Sequence, residues 1–343
     1  MDKAEHYNCL DGLRAFAAIG IVLMHMRGNG GYIVNGYVFN TLIPFFTNFV
    51  YLFMMVSGFS LCCGYYERLQ NGTISLNTFY ARRFAKIWPF FALLVSLDFI
   101  SSPSLTSLWE AFADLTLCFS LLPNPSISVI GVGWTLGVIF LFYLLFPFFC
   151  FLLSTKKKAW LAFLTSIAYH YACSYYFFSP DHVTANFNPP ANFLYCAMFF
   201  LAGGIIYLYR DTLISFTQRH KYLCSILCLF ITVCFFLQPV PYHTITMLVL
   251  FSIWLICAIA SKNILLDNRF TAFISSVSLE VYLCHMMFFR LLEKAHLTTL
   301  FENSILSYLF TCILTLSGAI LFSVFAKRVF QFVHDHLIKA SRR

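Results

Sequence analysis

Leu10-Asp11-Gly12-Leu13-Arg14-Ala15-Phe16-Ala17-Ala18-Ile19-Gly20-Ile21-Val22-Leu23-Met24-His25-Met26 is an apolar run close to the length of a bilayer crossing, yet it holds an acid, a guanidinium and an imidazole. About 20 apolar residues cover a hydrocarbon core of about 30 Å. A charge at the centre of such a span costs at least about 2.5–3.5 kcal/mol, so it is ordinarily paired, hydrated or put to use. At about 100° per residue, Arg14 and His25 return to within about 20° of one face, roughly 16 Å apart along the axis. They share a side of the helix but do not touch. Asp11 lies one turn before Arg14, where it either pairs with the guanidinium or caps the helix. His25 is either an interfacial histidine or a general base for a hydroxyl or thiol.

The rest of the 343-residue chain has the same character: 60% hydrophobic, 19% aromatic and only 10% charged, with a mean hydropathy of +0.78. These values exclude a soluble nucleic-acid binder and a disordered chain. Ten apolar stretches are long enough to cross: Leu10–Met26, Leu42–Tyr65, Phe84–Ile100, Trp134–Ser154, Trp160–Phe178, Phe193–Tyr209, Tyr222–Leu237, Tyr242–Ala260, Ala272–Leu292 and Ile305–Ala326. Trp88, Trp134, Trp160 and Tyr242 stand near span ends, as in an interfacial aromatic belt. The fold expected is an all-α integral membrane protein of ten transmembrane helices, forming one polytopic domain over residues 1–343.

Cytoplasmic loops of membrane proteins are enriched in Lys and Arg. With the N-terminus inside, ten spans place all of the 22 basic residues on the cytoplasmic side except Arg27, Arg290 and Lys294 outside and Arg14 within the first span. Both termini are therefore expected in the cytoplasm. An eleventh crossing at Leu105–Leu122 would carry to the outside the thirteen basic residues from Lys156 onward that ten spans keep inside. That segment repeats Leu108, Phe112, Leu115, Phe119 and Leu122 at helical spacing, with Glu110 and Asp114 on another face. It is expected as an extra interfacial or re-entrant helix.

Thirteen cysteines fall mostly within apolar runs and read as buried thiols rather than disulfides. No paired Cys-x-x-Cys and no His-Glu-x-x-His occurs, so no metal site is expected. The first run lacks a convincing small-residue cleavage site and is expected to be retained as a helix.

Five motifs in order carry a family resemblance. The spacing of Arg14 and His25 is followed by Phe53-Met-Met-Val-Ser-Gly-Phe59, Phe79-Tyr-Ala-Arg-Arg-Phe-Ala-Lys-Ile-Trp-Pro89, Trp134-Thr-Leu-Gly-Val-Ile-Phe-Leu-Phe-Tyr143-Leu-Leu-Phe-Pro147 and Ser278-Leu-Glu-Val-Tyr-Leu-Cys-His285. Over nearly the whole chain this resembles the membrane acyltransferase-3 family. The resemblance implies transfer of an acyl group, most often acetyl, from cytoplasmic acyl-CoA to a hydroxyl of a surface glycan such as O-antigen, or of its lipid-linked precursor, at a bacterial inner membrane. It implies His25 as the catalytic base with Arg14 as its companion. Asp11, Trp134, Tyr143, Glu280 and His285 are possible supporting residues, and Arg83 with Lys86 would meet the phosphates of the donor. Acyl-CoA is then a substrate, and no bound cofactor is expected; the other partners are the glycan acceptor and membrane lipids.

Two departures from the family pattern stand out. Lys86 replaces a usual Arg and loses the bidentate fork while keeping the charge. Ile139 stands where the family commonly has Glu, so the acid is dispensable, or Glu110, Asp114 or Glu280 substitutes for it, or catalysis is weakened. Ser57 and Gly58 suit close helix packing rather than nucleophilic attack. Two other functions fit the composition: a transporter or flippase of a lipid-linked glycan, whose intramembrane charges would mark a path, and a catalytically silent family member.

Overall fold

The computed structural model describes residues 7–121, 130–184, 187–237, 243–261 and 263–341, excepting the side chains of 334 and 337–341. Among these residues the secondary structure is helical, without strands. Leu122, Tyr242, Lys3, Lys262, Arg342 and Arg343, which entered the sequence reading, lie outside them.

Helix α1, Cys9–Asn29, occupies the centre. Ala15, Ala17, Ala18 and Gly20 are buried along it, because small side chains let neighbouring backbones approach from several sides. A continuous helical run, Val38–Gln70, follows; its middle is α2, Phe49–Leu61, flanked by wider turns at Val38–Leu42 and Cys62–Tyr66. Helix α3, Leu76–Ser101, begins where the Ser75 hydroxyl accepts from the Thr78 amide at 3.2 Å, and contains Pro89. The Trp88 indole donates to the Leu115 carbonyl at 3.1 Å, tying α3 to the short α4, Leu105–Leu115.

The segment read as helical over 105–122 stops at Leu115. Leu117 takes a positive φ of 57° with its side chain fully buried, a backbone state that L-residues adopt only under constraint. The chain then makes a single tight turn, Phe119–Leu121. Helix α4 is about 16 Å long, too short to cross. It buries Ala111 and Asp114 and leaves Leu105, Leu108, Trp109 and Phe112 exposed. An outward apolar face suits a helix lying against lipid.

Next come α5, Trp134–Leu152, and α6, Lys156–Ala172, continued by the wide turn Cys173–Phe177. Lys156 to Lys158 occupy the first turn of α6, where positive charge opposes the helix dipole. Helices α7, Phe193–Leu208, and α8, Arg210–Arg219, meet at 72°. Helices α9, Lys221–Leu237, and α10, Thr244–Ala260, are apolar and 17 residues each. Helix α11, Arg269–Ser276, turns by 69° into α12, Ser278–Lys294, and α13, Ser304–Ser341, ends the chain.

Five helical runs are individually long and apolar enough to span a bilayer, and seven if each bent pair counts as one. They make this an integral membrane protein. The stretch Ala272–Leu292, read as one span, is instead broken at Val277. Serines make the break tolerable: the Ser278 hydroxyl donates to the Ser275 carbonyl at 2.9 Å, the Ser276 hydroxyl to the Phe273 carbonyl at 2.6 Å, and the Lys327 ammonium caps the Ser276 carbonyl. Carbonyls released from a helix inside a membrane need such partners.

The closest packing joins α2 to α7. A Cβ added at Gly58 would overlap the Phe200 carbonyl, and one at Gly203 would overlap the Met55 carbonyl, so glycines on both helices allow backbone contact, as expected for Gly58. Phe142 of α5 stacks on Phe200 at 3.9 Å between centroids, and Phe59, Phe146 and Phe199 are fully buried nearby. Cys9, Cys62, Cys150, Cys284 and Cys312 are buried free thiols.

Candidate functional site

Helix α1 carries the first ionic feature. Arg14 donates to Asp11 at 3.1 Å and to the Ser60 hydroxyl of α2 at 2.6 Å. Asp11 in turn accepts from the Ser275 hydroxyl of α11 at 2.7 Å. The acid therefore pairs rather than caps: Asn8 precedes the helix and makes no side-chain cap. Three helices are joined through one carboxylate and one guanidinium, with each charge compensated as burial demands.

Arg14 also lines a cavity of about 100 Å³. Lys86 of α3 and Ser278 at the start of α12 line it as well, so two basic side chains and a helix N-terminus border one space. Ser57, Ile139 and Tyr143 complete its sides, and Thr135 with Tyr282 forms a polar patch in the wall. The Tyr282 hydroxyl donates to the Val132 carbonyl at 3.1 Å. Its single proton being so used, it accepts from Thr135 at 2.7 Å. Both side chains are buried.

Ile139 lines the same cavity as Arg14 and Lys86. The position where the family commonly places an acid is thus a lining position, and here it is apolar. Of the three acids considered as substitutes, Glu280 forms an ion pair with Lys327 of α13 at 3.0 Å, its side chain 9% exposed. Glu110 and Asp114 belong to α4, and none of the three lines the cavity.

Arg83 and Lys86 part company. The Arg83 guanidinium donates to the Tyr65 hydroxyl at 2.7 Å and sits 4.7 Å from the Tyr65 ring centroid and 5.8 Å from that of Tyr143. It reaches the cavity only through Tyr143, whereas Lys86 lines it directly.

His25 and His285 come together from α1 and α12, with ring centroids 5.1 Å apart at 42°. His285 is fully buried, His25 partly. Neither lines the cavity, but the Tyr282 ring is 6.1 Å from that of His285, so the pair lies just behind the cavity wall. Trp134, partly buried at the start of α5, is also outside the lining; its neighbour Thr135 is inside it. His170 is buried against Tyr195, whose carbonyl lies 2.9 Å from Nδ1.

Sequence reasoning passed over Ser60, Ser275, Thr135 and Lys327. Lys327 entered only as a loop charge, because its pairing with Glu280 depends on which helices are neighbours. The serines carried none.

Comparison with known proteins identifies a family. A family model described as an acyltransferase domain matches residues 7–324. Over 152 residues the chain is 33% identical to "Acyltransferase MdmB" of Streptomyces mycarofaciens, a match covering 40% of this chain and 38% of that protein. No solved structure matches the chain. A match over nearly its whole length, on a helical membrane scaffold that groups Arg14, Lys86 and Tyr282 around one cavity, establishes that the chain belongs to the acyltransferase-3 family.

Proposed function

We propose that the protein is a membrane O-acyltransferase that moves an acyl group, acetyl in the simplest case, from cytoplasmic acyl-CoA to a hydroxyl of a surface glycan or its lipid-linked precursor in a bacterial inner membrane. The chain crosses ten times with both termini cytoplasmic, which puts Arg83, Lys86 and Lys327 at the inner edge and His25 and His285 in the outer half. The observation that carries this reading is the cavity beside Arg14 and Lys86, one wall of which, at Tyr282, backs onto the histidine pair. A thioester held by its phosphates at the inner edge extends its pantetheine arm along that cavity, and the acceptor arrives from the other side.

In the direct route, His25 takes the proton of the acceptor hydroxyl as its oxygen attacks the thioester carbonyl. The tetrahedral intermediate then expels the thiolate of coenzyme A, which receives the proton, and an ester remains on the acceptor. Hydrogen-bond donors in the wall oppose the charge on the oxyanion. Lys86 serves as a point charge for phosphate, and Arg14, held by Asp11 and Ser60, shapes the cavity floor.

The purified protein in nanodiscs, given radiolabelled acetyl-CoA and glycan extracted from bacterial envelopes, is expected to label the glycan, and His25→Ala and Arg14→Ala are expected to abolish the labelling. Transfer undiminished by His25→Ala removes the central assignment. The apolar Ile139 favours one second reading, a silent member of the family, which predicts no transfer to any acceptor until Ile139→Glu is introduced.

A further inference from the structure

Nδ1 of His285 lies 2.7 Å from the Tyr282 carbonyl oxygen and 3.3 Å from that of Val281. Both neighbours are acceptors, so Nδ1 carries the proton, and Nε2 of the neutral ring is left with a lone pair. That Nε2 is buried and has no hydrogen-bond partner. A bare buried acceptor is costly and rarely kept without a use. The side chain is wholly enclosed, so no substrate reaches it, and the ring of partly exposed His25 is 5.1 Å away.

We infer that His285 is a positioning residue whose bare Nε2 accepts a hydrogen bond from a ring N–H of His25, and so fixes which His25 nitrogen is left to take the acceptor's proton. The inference rests on His25 acting as the base. The 42° tilt between the rings is closed by a small rotation of the His25 side chain; catalytic hydrogen bonds are often long or misaligned before substrate binds. Once His25 has taken the proton, the same contact supports the imidazolium, the work done elsewhere by a buried carboxylate behind a histidine base. Here a neutral imidazole serves, its tautomer locked by the backbone of its own helix. Because Tyr282 supplies both the locking carbonyl and part of the cavity wall, one turn of α12 links donor cavity and base.

The test contrasts two amides. In His285→Gln the side-chain oxygen reaches the place of Nε2 and can accept from His25; in His285→Asn the shorter amide reaches only the place of Nδ1. With all proteins matched for detergent melting temperature and monodispersity, His285→Asn is expected to lower kcat about 100-fold, the scale for losing a residue that orients a functional histidine. Its KM for acyl-CoA stays within about twofold, and His285→Gln recovers to within about tenfold of wild type. Asn and Gln variants with equal rates, whether both high or both low, overturn the inference. His25→Ala is measured alongside: if it keeps wild-type transfer, the base assignment itself fails, whereas an inactive His25→Ala with indistinguishable Asn and Gln variants leaves the base standing and removes only the role of His285.

Discussion

The Tyr282 hydroxyl is a sensitive place to perturb the cavity wall, because it donates to one buried group and accepts from another. Tyr282→Phe deletes both bonds and leaves the Val132 carbonyl and the Thr135 hydroxyl bare. At about 1 kcal/mol for each bond lost with its partner stranded, the variant loses about 2 kcal/mol of stability. Thr135→Val deletes only the bond between the side chains, since Tyr282 still donates to Val132, and costs about 1 kcal/mol. In the double variant no Thr hydroxyl is stranded, so the loss stays near about 2 kcal/mol rather than the sum. The coupling is then about 1 kcal/mol, within the range for hydrogen bonds between membrane helices. Reversible unfolding in mixed micelles, followed by tryptophan fluorescence, gives all four free energies. A coupling below about 0.3 kcal/mol refutes the reasoning, because the two hydroxyls would then be energetically independent.

Two further predictions address the charges. Lys86→Met raises KM for acyl-CoA about tenfold with little change in kcat, and Lys86→Arg restores binding, as checked by steady-state kinetics in nanodiscs; a charge that attracts phosphate without touching the reacting carbonyl acts on binding alone. Lys327→Met strips Glu280 of its partner and destabilises the protein by about 1–3 kcal/mol in the same unfolding assay, less than the about 3–5 kcal/mol of a fully buried pair because the Lys327 side chain is 42% exposed. Adding Glu280→Gln recovers most of that loss.

Some local contacts are legible in the sequence. One-turn spacing leaves Asp11 the choice of pairing with Arg14 or capping the helix, of which the structure takes the first, and the close approach at Gly58 follows from small residues in an apolar run. The helical character of the spans follows from length and hydropathy. The break at Val277 was hidden because Ala272–Leu292 reads as one uninterrupted apolar segment, and the serines that satisfy its opened carbonyls look like ordinary packing residues. The end of α4 was hidden for a related reason: the apolar repeat runs on to Leu122, while tertiary burial of Leu117 drives the backbone into a left-handed turn. The proximity of His25 to His285 could not be read at all, since it depends on which helices are neighbours.

The Asp11–Ser275 bond acts as a rivet between the base of α1 and the joint at Val277. His25 follows Asp11 along α1, and His285 follows Ser275 across the joint, so one bond ties the starts of the two helical segments that carry the histidine pair. The histidine pair and the joint at Val277 thus share one polar anchor at the start of α1.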